Sequence, residues 1–103
     1  MTQRSAFVLR VRPDKMKEYV DAHRAVWPEM LDALRAAGIR NYSIFRAGNE
    51  VFGYFEAEDL AEAGRYLDGQ DVNRRWQDHM AGLLEERVPD AGPPPLEQIF
   101  RLD

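Results

Sequence analysis

Apolar residues alternate between Ser5 and Val11, with Phe7, Leu9 and Val11 on one face and Ala6 and Val8 on the other. A period of two predicts a strand. Arg12-Pro13-Asp14 ends it, and Asp14 is placed to cap the element that follows. From Lys15 the period changes. Met16, Tyr19, Val20, His23 and Trp27 recur at steps of three and four, which defines one helical face. Lys17, Glu18, Asp21 and Arg24 lie opposite and belong to water. Pro28 then interrupts the pattern. It disfavours α geometry at Trp27 and suits the first position of a new helix. The pattern predicts helices over about 14–25 and 28–37, with Gly38 closing the second.

Ile39 to Ala47 predicts a second strand, with Tyr42 and Ile44 on one face and Asn41, Ser43 and Phe45 on the other. Gly48-Asn49 supplies a hairpin turn, and Val51 to Ala57 returns as a third strand. Asp59 opens a helix through Leu67. Asp68-Gly69-Gln70-Asp71 breaks it, and Asp71 is the expected cap of a further helix carrying Val72, Trp76, Met80, Leu83 and Leu84. Val88 to Pro95 reads as a loop, since three successive prolines have no donor for a ladder. Leu96 to Leu102 predicts the last strand. The order is β-α-β-β-α-β with each α element split, an α+β domain of the ferredoxin-like arrangement with helices on one face of the sheet. The strands carry apolar residues on both faces. The face without helices therefore needs a cover, and a second copy of the chain supplies it: a homodimer is expected.

The chain has 103 residues, which predicts a single domain over 1–103. Acidic residues outnumber basic ones, 18 to 14, for a net charge of -4. That balance argues against nucleic acid and against an anionic membrane surface, both of which ask for a basic patch. No apolar run approaches the roughly 20 residues of a spanning helix, and the N-terminal residues show no signal-peptide core. There is no cysteine. A cytoplasmic enzyme or binding protein fits these features. A phosphate-cradling glycine loop, a Ser-His-Asp set and a paired carboxylate are all absent from the pattern. Two histidines far apart give no metal spacing, so neither metal nor cofactor is expected.

His23 is the main candidate for chemistry. It stands one helical turn after Tyr19 on the apolar face, so the two side chains are neighbours. An imidazole titrates near neutrality and can both give and take a proton. The alternative is a core histidine bonded to a backbone carbonyl. Trp76 is a core residue or a flat wall for a sugar ring. Gln77 is an ordinary surface residue or an amide donor beside that wall. Tyr42 packs in the sheet or offers its hydroxyl to a ligand. Trp27 and Glu29 read as structural, and His79 as a partly exposed histidine.

Tyr19-x-x-x-His23-x-x-x-Trp27-Pro28-Glu29 resembles the signature of the L-rhamnose mutarotase family. Ala6-Phe7-Val8-Leu9, Asn41-Tyr42-Ser43-Ile44-Phe45, Arg75-Trp76 with Met80, and Leu96-Glu97-Gln98-Ile99-Phe100 match in order, so the resemblance spans nearly the whole chain. It implies a dimeric α+β barrel that interconverts the α and β anomers of L-rhamnose without a cofactor. It also implies His23 as proton donor, with Tyr19, Tyr42 and Trp76 on the monosaccharide. Some members carry a second tryptophan where this chain has Gln77, so a sugar of different hydroxyl stereochemistry, such as L-fucose, is an alternative substrate. Two other functions fit the same fold: a cofactor-independent monooxygenase and a non-catalytic ligand-binding module.

Overall fold

The alternating first segment forms strand β1 (Gln3–Arg10) in the computed structural model, which describes residues 1–89 and 92–102. A 3-10 turn (Pro13–Lys15) leads into helix α1 (Met16–Arg24), and Pro28 opens helix α2 (Pro28–Ala36) at its first position. Strands β2 (Arg40–Ala47) and β3 (Glu50–Ala57) follow as a hairpin, then helices α3 (Leu60–Asp68) and α4 (Asp71–Ala81). The described residues thus form an α+β fold with a three-stranded antiparallel sheet, ordered β1-β3-β2.

Register assigns the two faces of the sheet. Phe7 pairs with Gly53, which pairs with Ile44, and Leu9 pairs with Val51. This row faces the helices, where Phe7, Val11 and Val51 are buried. Val8, Phe52 and Phe45 form the matching row on the opposite face. Between Arg40 and Ser43, β2 advances three residues while β3 advances two. The extra residue is accommodated at Asn41, whose φ of 51° is a left-handed value that asparagine tolerates better than most residues. The bulge keeps Arg40 and Ser43 on the outer face and lets Tyr42 turn inward against Phe7 and Phe55.

The helix ends follow local rules with two corrections. Gly38, at φ 88°, closes α2 as expected; its N–H bonds the Arg35 carbonyl and that of Ile39 bonds the Leu34 carbonyl. Asp59 caps α3 by accepting the Glu62 N–H. Asp14, by contrast, makes no cap, because Pro13 starts a 3-10 turn that encloses it. Asp71 lies one residue inside α4, and its carboxylate takes Arg74 and Arg75 instead of the backbone.

Two further expectations change at the free edge of β1. Leu83 and Leu84 lie beyond the end of α4. Leu84 bridges Val11, flanked by bonds from the Arg12 N–H to the Leu83 carbonyl and from the Glu85 N–H to the Arg10 carbonyl, each 2.9 Å. The predicted strand over Leu96–Leu102 is absent: those residues form no ladder, and the Leu96 N–H bonds the Ala6 carbonyl of β1 at 2.8 Å. Leu83–Glu85 occupy part of the edge that strand would need, and Pro93–Pro95 carry no donors on the approach. Residues 90 and 91 of the expected proline-rich loop lie outside the described set.

The main core sits between the sheet and helices α1, α2 and α4, built on Val11, Met16, Tyr19, Met30, Val51, Trp76 and Met80. A smaller cluster under α3 holds Ile39, Ala57 and Ala63. Burying a side chain of this size stabilises by roughly 1.5–3 kcal/mol. The core therefore fixes Tyr19 and Trp76 as part of what holds the domain together.

Candidate active site

The i, i+4 spacing on α1 brings the Tyr19 and His23 rings to 4.3 Å between centroids, tilted by 32°. The Nδ1 of His23 is 2.8 Å from the Tyr19 carbonyl oxygen. A carbonyl only accepts, so Nδ1 carries the hydrogen. Nε2 of the neutral ring then holds the free lone pair. His23 is half-buried, and desolvation lowers its pKa below the usual 6.5, against a smaller upward effect of the carbonyl bond. At neutral pH the ring is mainly an uncharged base with its reactive nitrogen fixed.

Trp76 reaches the same place from α4. Its ring is buried and meets the His23 imidazole edge-on, 5.5 Å away at 79°. Tyr42 arrives from β2, held 5.2 Å from Phe55 and 6.5 Å from Phe7. It keeps 40% of its surface exposed, yet enough protein surrounds it to push its phenol pKa up, first by desolvation and second through the phenol of Tyr19. The buried Tyr19 phenol is pushed up by desolvation to about 12. Both phenols therefore stay protonated at neutral pH and offer hydrogens.

A cavity of about 310 Å³ opens beside this group, at the lower end of the roughly 300–1,000 Å³ range of small-molecule sites. Tyr19, Val20, His23 and Arg24 form one wall, and Ile44, Phe45, Arg46 and Val51 the other. A charged cleft of about 420 Å³ adjoins it and shares Val20, Arg24 and Arg46.

Of the residues singled out from sequence, Tyr19 and His23 line the cavity and Trp76 touches His23, whereas Tyr42 packs on Phe7 and Phe55 and is not among the lining residues. Gln77 does not join them: it is exposed on α4, where its amide donates to the Asn73 side chain at 3.2 Å. His79 is exposed and stacks on Trp27, 5.9 Å away at 25°. The β2 wall and Arg24 were missed. Arg46 follows Ile44 by two, so strand alternation alone puts it on the inward row. Arg24 falls on the charged side of α1 and gives no such signal. Among the described residues no group of three or more His, Asp or Glu stands where it could hold a metal, and no helix is long and apolar enough to cross a membrane.

A family model described as L-rhamnose mutarotase matches residues 4–102. The L-rhamnose mutarotase of Oceanobacillus iheyensis is 33% identical over 98% of this chain and 99% of its own. That of Bacillus subtilis is 37% identical, with the same coverage. The crystal structure of an L-rhamnose mutarotase from Formosa agariphila superposes with a TM-score of 0.79 at 27% identity, covering 98% of this chain and 99% of that one. Tetracenomycin F2 cyclase from Streptomyces glaucescens shares the fold alone, at 20% identity and a TM-score of 0.61 over 98% of this chain and 97% of that one.

Proposed function

The chain belongs to the L-rhamnose mutarotase family, isomerases that interconvert sugar anomers, and from that premise we propose that it exchanges the α and β anomers of L-rhamnose or a related 6-deoxy sugar, with His23 moving the proton. The observation that carries this reading is the bond between Nδ1 of His23 and the Tyr19 carbonyl, beside the cavity. It leaves Nε2 to face the reacting atoms.

The chemistry is that of a hemiacetal. Nε2 takes the proton of the anomeric hydroxyl as the bond from C1 to the ring oxygen breaks. The ring oxygen, released as an alkoxide, takes that same proton back from Nε2, and C1 becomes an aldehyde carbon. Rotation about C1–C2 presents the other face, and closure reverses both transfers. No net proton or electron is exchanged. Tyr19 and Tyr42, as protonated phenols, donate hydrogen bonds to the sugar oxygens, and Trp76 offers an apolar wall. Gln77, which bonds Asn73, has no line to the cavity in this arrangement. The identity of the deoxy sugar is then set by the Ile44-Phe45-Arg46 wall.

A homodimer is part of the same reading. Val8, Phe52 and Phe45 leave an apolar row on the helix-free face, with Phe45 69% exposed, and Ile99, Phe100 and Leu102 are also exposed. A second copy covers surface of this kind without any new residue type.

Exchange NMR on a panel of deoxy sugars tests the assignment. Replacing His23 with alanine is expected to remove most of the enhancement, on the order of 10²–10⁴ for general acid–base catalysis, while the far-UV spectrum stays that of the folded chain. Anomer exchange at the original rate would show that another group moves the proton.

A further inference from the structure

The break between α1 and α2 puts Trp27 against Trp76. The two indoles meet edge-on, 5.1 Å apart at 86°. Trp27 is itself held. The Arg75 guanidinium lies 5.9 Å from its ring centre, a cation over an aromatic face. Arg75 is fixed from two helices: its Nε donates to Asp71 at 2.8 Å, and a terminal nitrogen donates to Glu29 at 3.4 Å. Trp76 then meets His23 edge-on. The contacts run without a gap from a surface guanidinium to the imidazole.

Arg75, Asp71 and Glu29 all have well-exposed side chains. Ion pairs so exposed add little to stability. Their consequence is geometric, because a planar guanidinium with two carboxylate partners has few orientations left. The imidazole, in turn, is bounded by three groups: the Tyr19 carbonyl at Nδ1, the Tyr19 ring, and the Trp76 ring. The first two belong to the same helix as His23. Trp76 is the boundary that comes from elsewhere in the fold, and it is the one Trp27 backs.

We propose that Trp27 and Arg75 are positioning residues for anomer exchange: Arg75 holds Trp27 against Trp76, and Trp76 so backed keeps the His23 imidazole set toward the cavity. The inference rests on the reading of His23 given above. Neither residue touches the cavity, so each acts through Trp76.

Steady-state exchange kinetics and NMR on the intact protein test it. Trp27→Ala is expected to lower kcat by about tenfold or more, as a misplacement of about 1 Å at a catalytic group can do, with KM changed much less. Trp27→Phe restores most of kcat. Arg75→Met, which leaves the core untouched, lowers kcat by roughly threefold or more on the same reasoning, and Arg75→Lys recovers part of it. The chain has two histidines, so the imidazole C–H resonances are readily assigned. That of His23 is expected to move in Trp27→Ala and in Arg75→Met, and to stay near its original position in Trp27→Phe. A kcat loss that matches only a lost folded fraction, with the His23 resonance unmoved, overturns the inference. So does an Arg75→Met variant with full kcat. If His23→Ala is inactive while the Trp27 and Arg75 variants match the parent, the positioning role alone fails. If His23→Ala keeps full activity, both readings fail.

Discussion

Gly53 connects the sheet to the site, and a single methyl group there tests the connection. A Cβ added at Gly53 would lie 2.2, 2.3 and 2.9 Å from three ring carbons of Phe7, its cross-strand partner. Ordinary contact begins at 3.4 Å, so the ring must retreat by roughly the difference, about 1.2 Å. Phe7 is buried, with Tyr42 at 6.5 Å and Phe55 at 6.4 Å. Two opposing effects decide the outcome of Gly53→Ala. Gly53 does not need a positive φ, so alanine gains about 0.4–1 kcal/mol by restricting the unfolded chain. Overpacking costs about 1–3 kcal/mol, and an approach as close as 2.2 Å belongs near the top of that range, so the loss dominates and the net destabilisation is about 2–2.6 kcal/mol. At a fixed protein concentration this lowers Tm by about 4–8 °C per kcal/mol. The displaced ring presses on Tyr42, so kcat/KM falls as well. Phe7→Leu in the Gly53→Ala background removes the clash, and a double-mutant cycle from denaturant melts is expected to give a coupling of at least about 0.5 kcal/mol. Equal stabilities for parent and Gly53→Ala, or a cycle with no coupling, would mean that Phe7 does not rest on Gly53.

The acid limb of kcat/KM follows the neutral fraction of His23. Desolvation depresses its pKa, so the midpoint of the acid limb is expected below 6.5; a midpoint above 6.5 in a pH-rate profile contradicts the half-buried neutral imidazole. On the alkaline side the Tyr19 phenol, pushed up to about 12, gives no limb below pH 9 once uncatalysed exchange is subtracted. Phe52→Glu, in the centre of the outer apolar row, is expected to convert a dimer to a monomer in sedimentation experiments; a parent chain that already sediments as a monomer at tens of micromolar rules out the second copy as the cover of that face.

The readable part of this molecule was the part decided by neighbours in sequence. Tyr19 and His23 share a face of α1 because they are four residues apart, and the Trp27-Pro28 break follows from proline sterics; both stand where the pattern puts them. Where the sequence misled, two local rules competed. Asp14 and Asp71 both have the chemistry of a cap, but Pro13 started a 3-10 turn around one, and Arg74 and Arg75 drew the carboxylate of the other. The apolar residues of Leu96–Leu102 measure the wish of a segment to be half-buried and say nothing of whether a free ladder is within reach; here Leu83–Glu85 hold part of that edge.

The site itself divides along the same line. The pairing of its imidazole and phenol was legible, because residues one turn apart are local neighbours. Its boundary was not. The β2 wall is set by a bulge at Asn41 that no periodicity announces, and by the pairing of Ile44 with Gly53 and of Arg46 with Val51. Arg24 was placed in water because its helix face is charged, yet a side chain that long can border a cavity and remain solvated. In the proposed reading the reaction class rests on α1, whereas substrate choice rests on a strand whose register only the fold determines. Substitutions at Ile44 and Arg46 should accordingly shift preference among deoxy sugars while leaving the proton transfer at His23 in place.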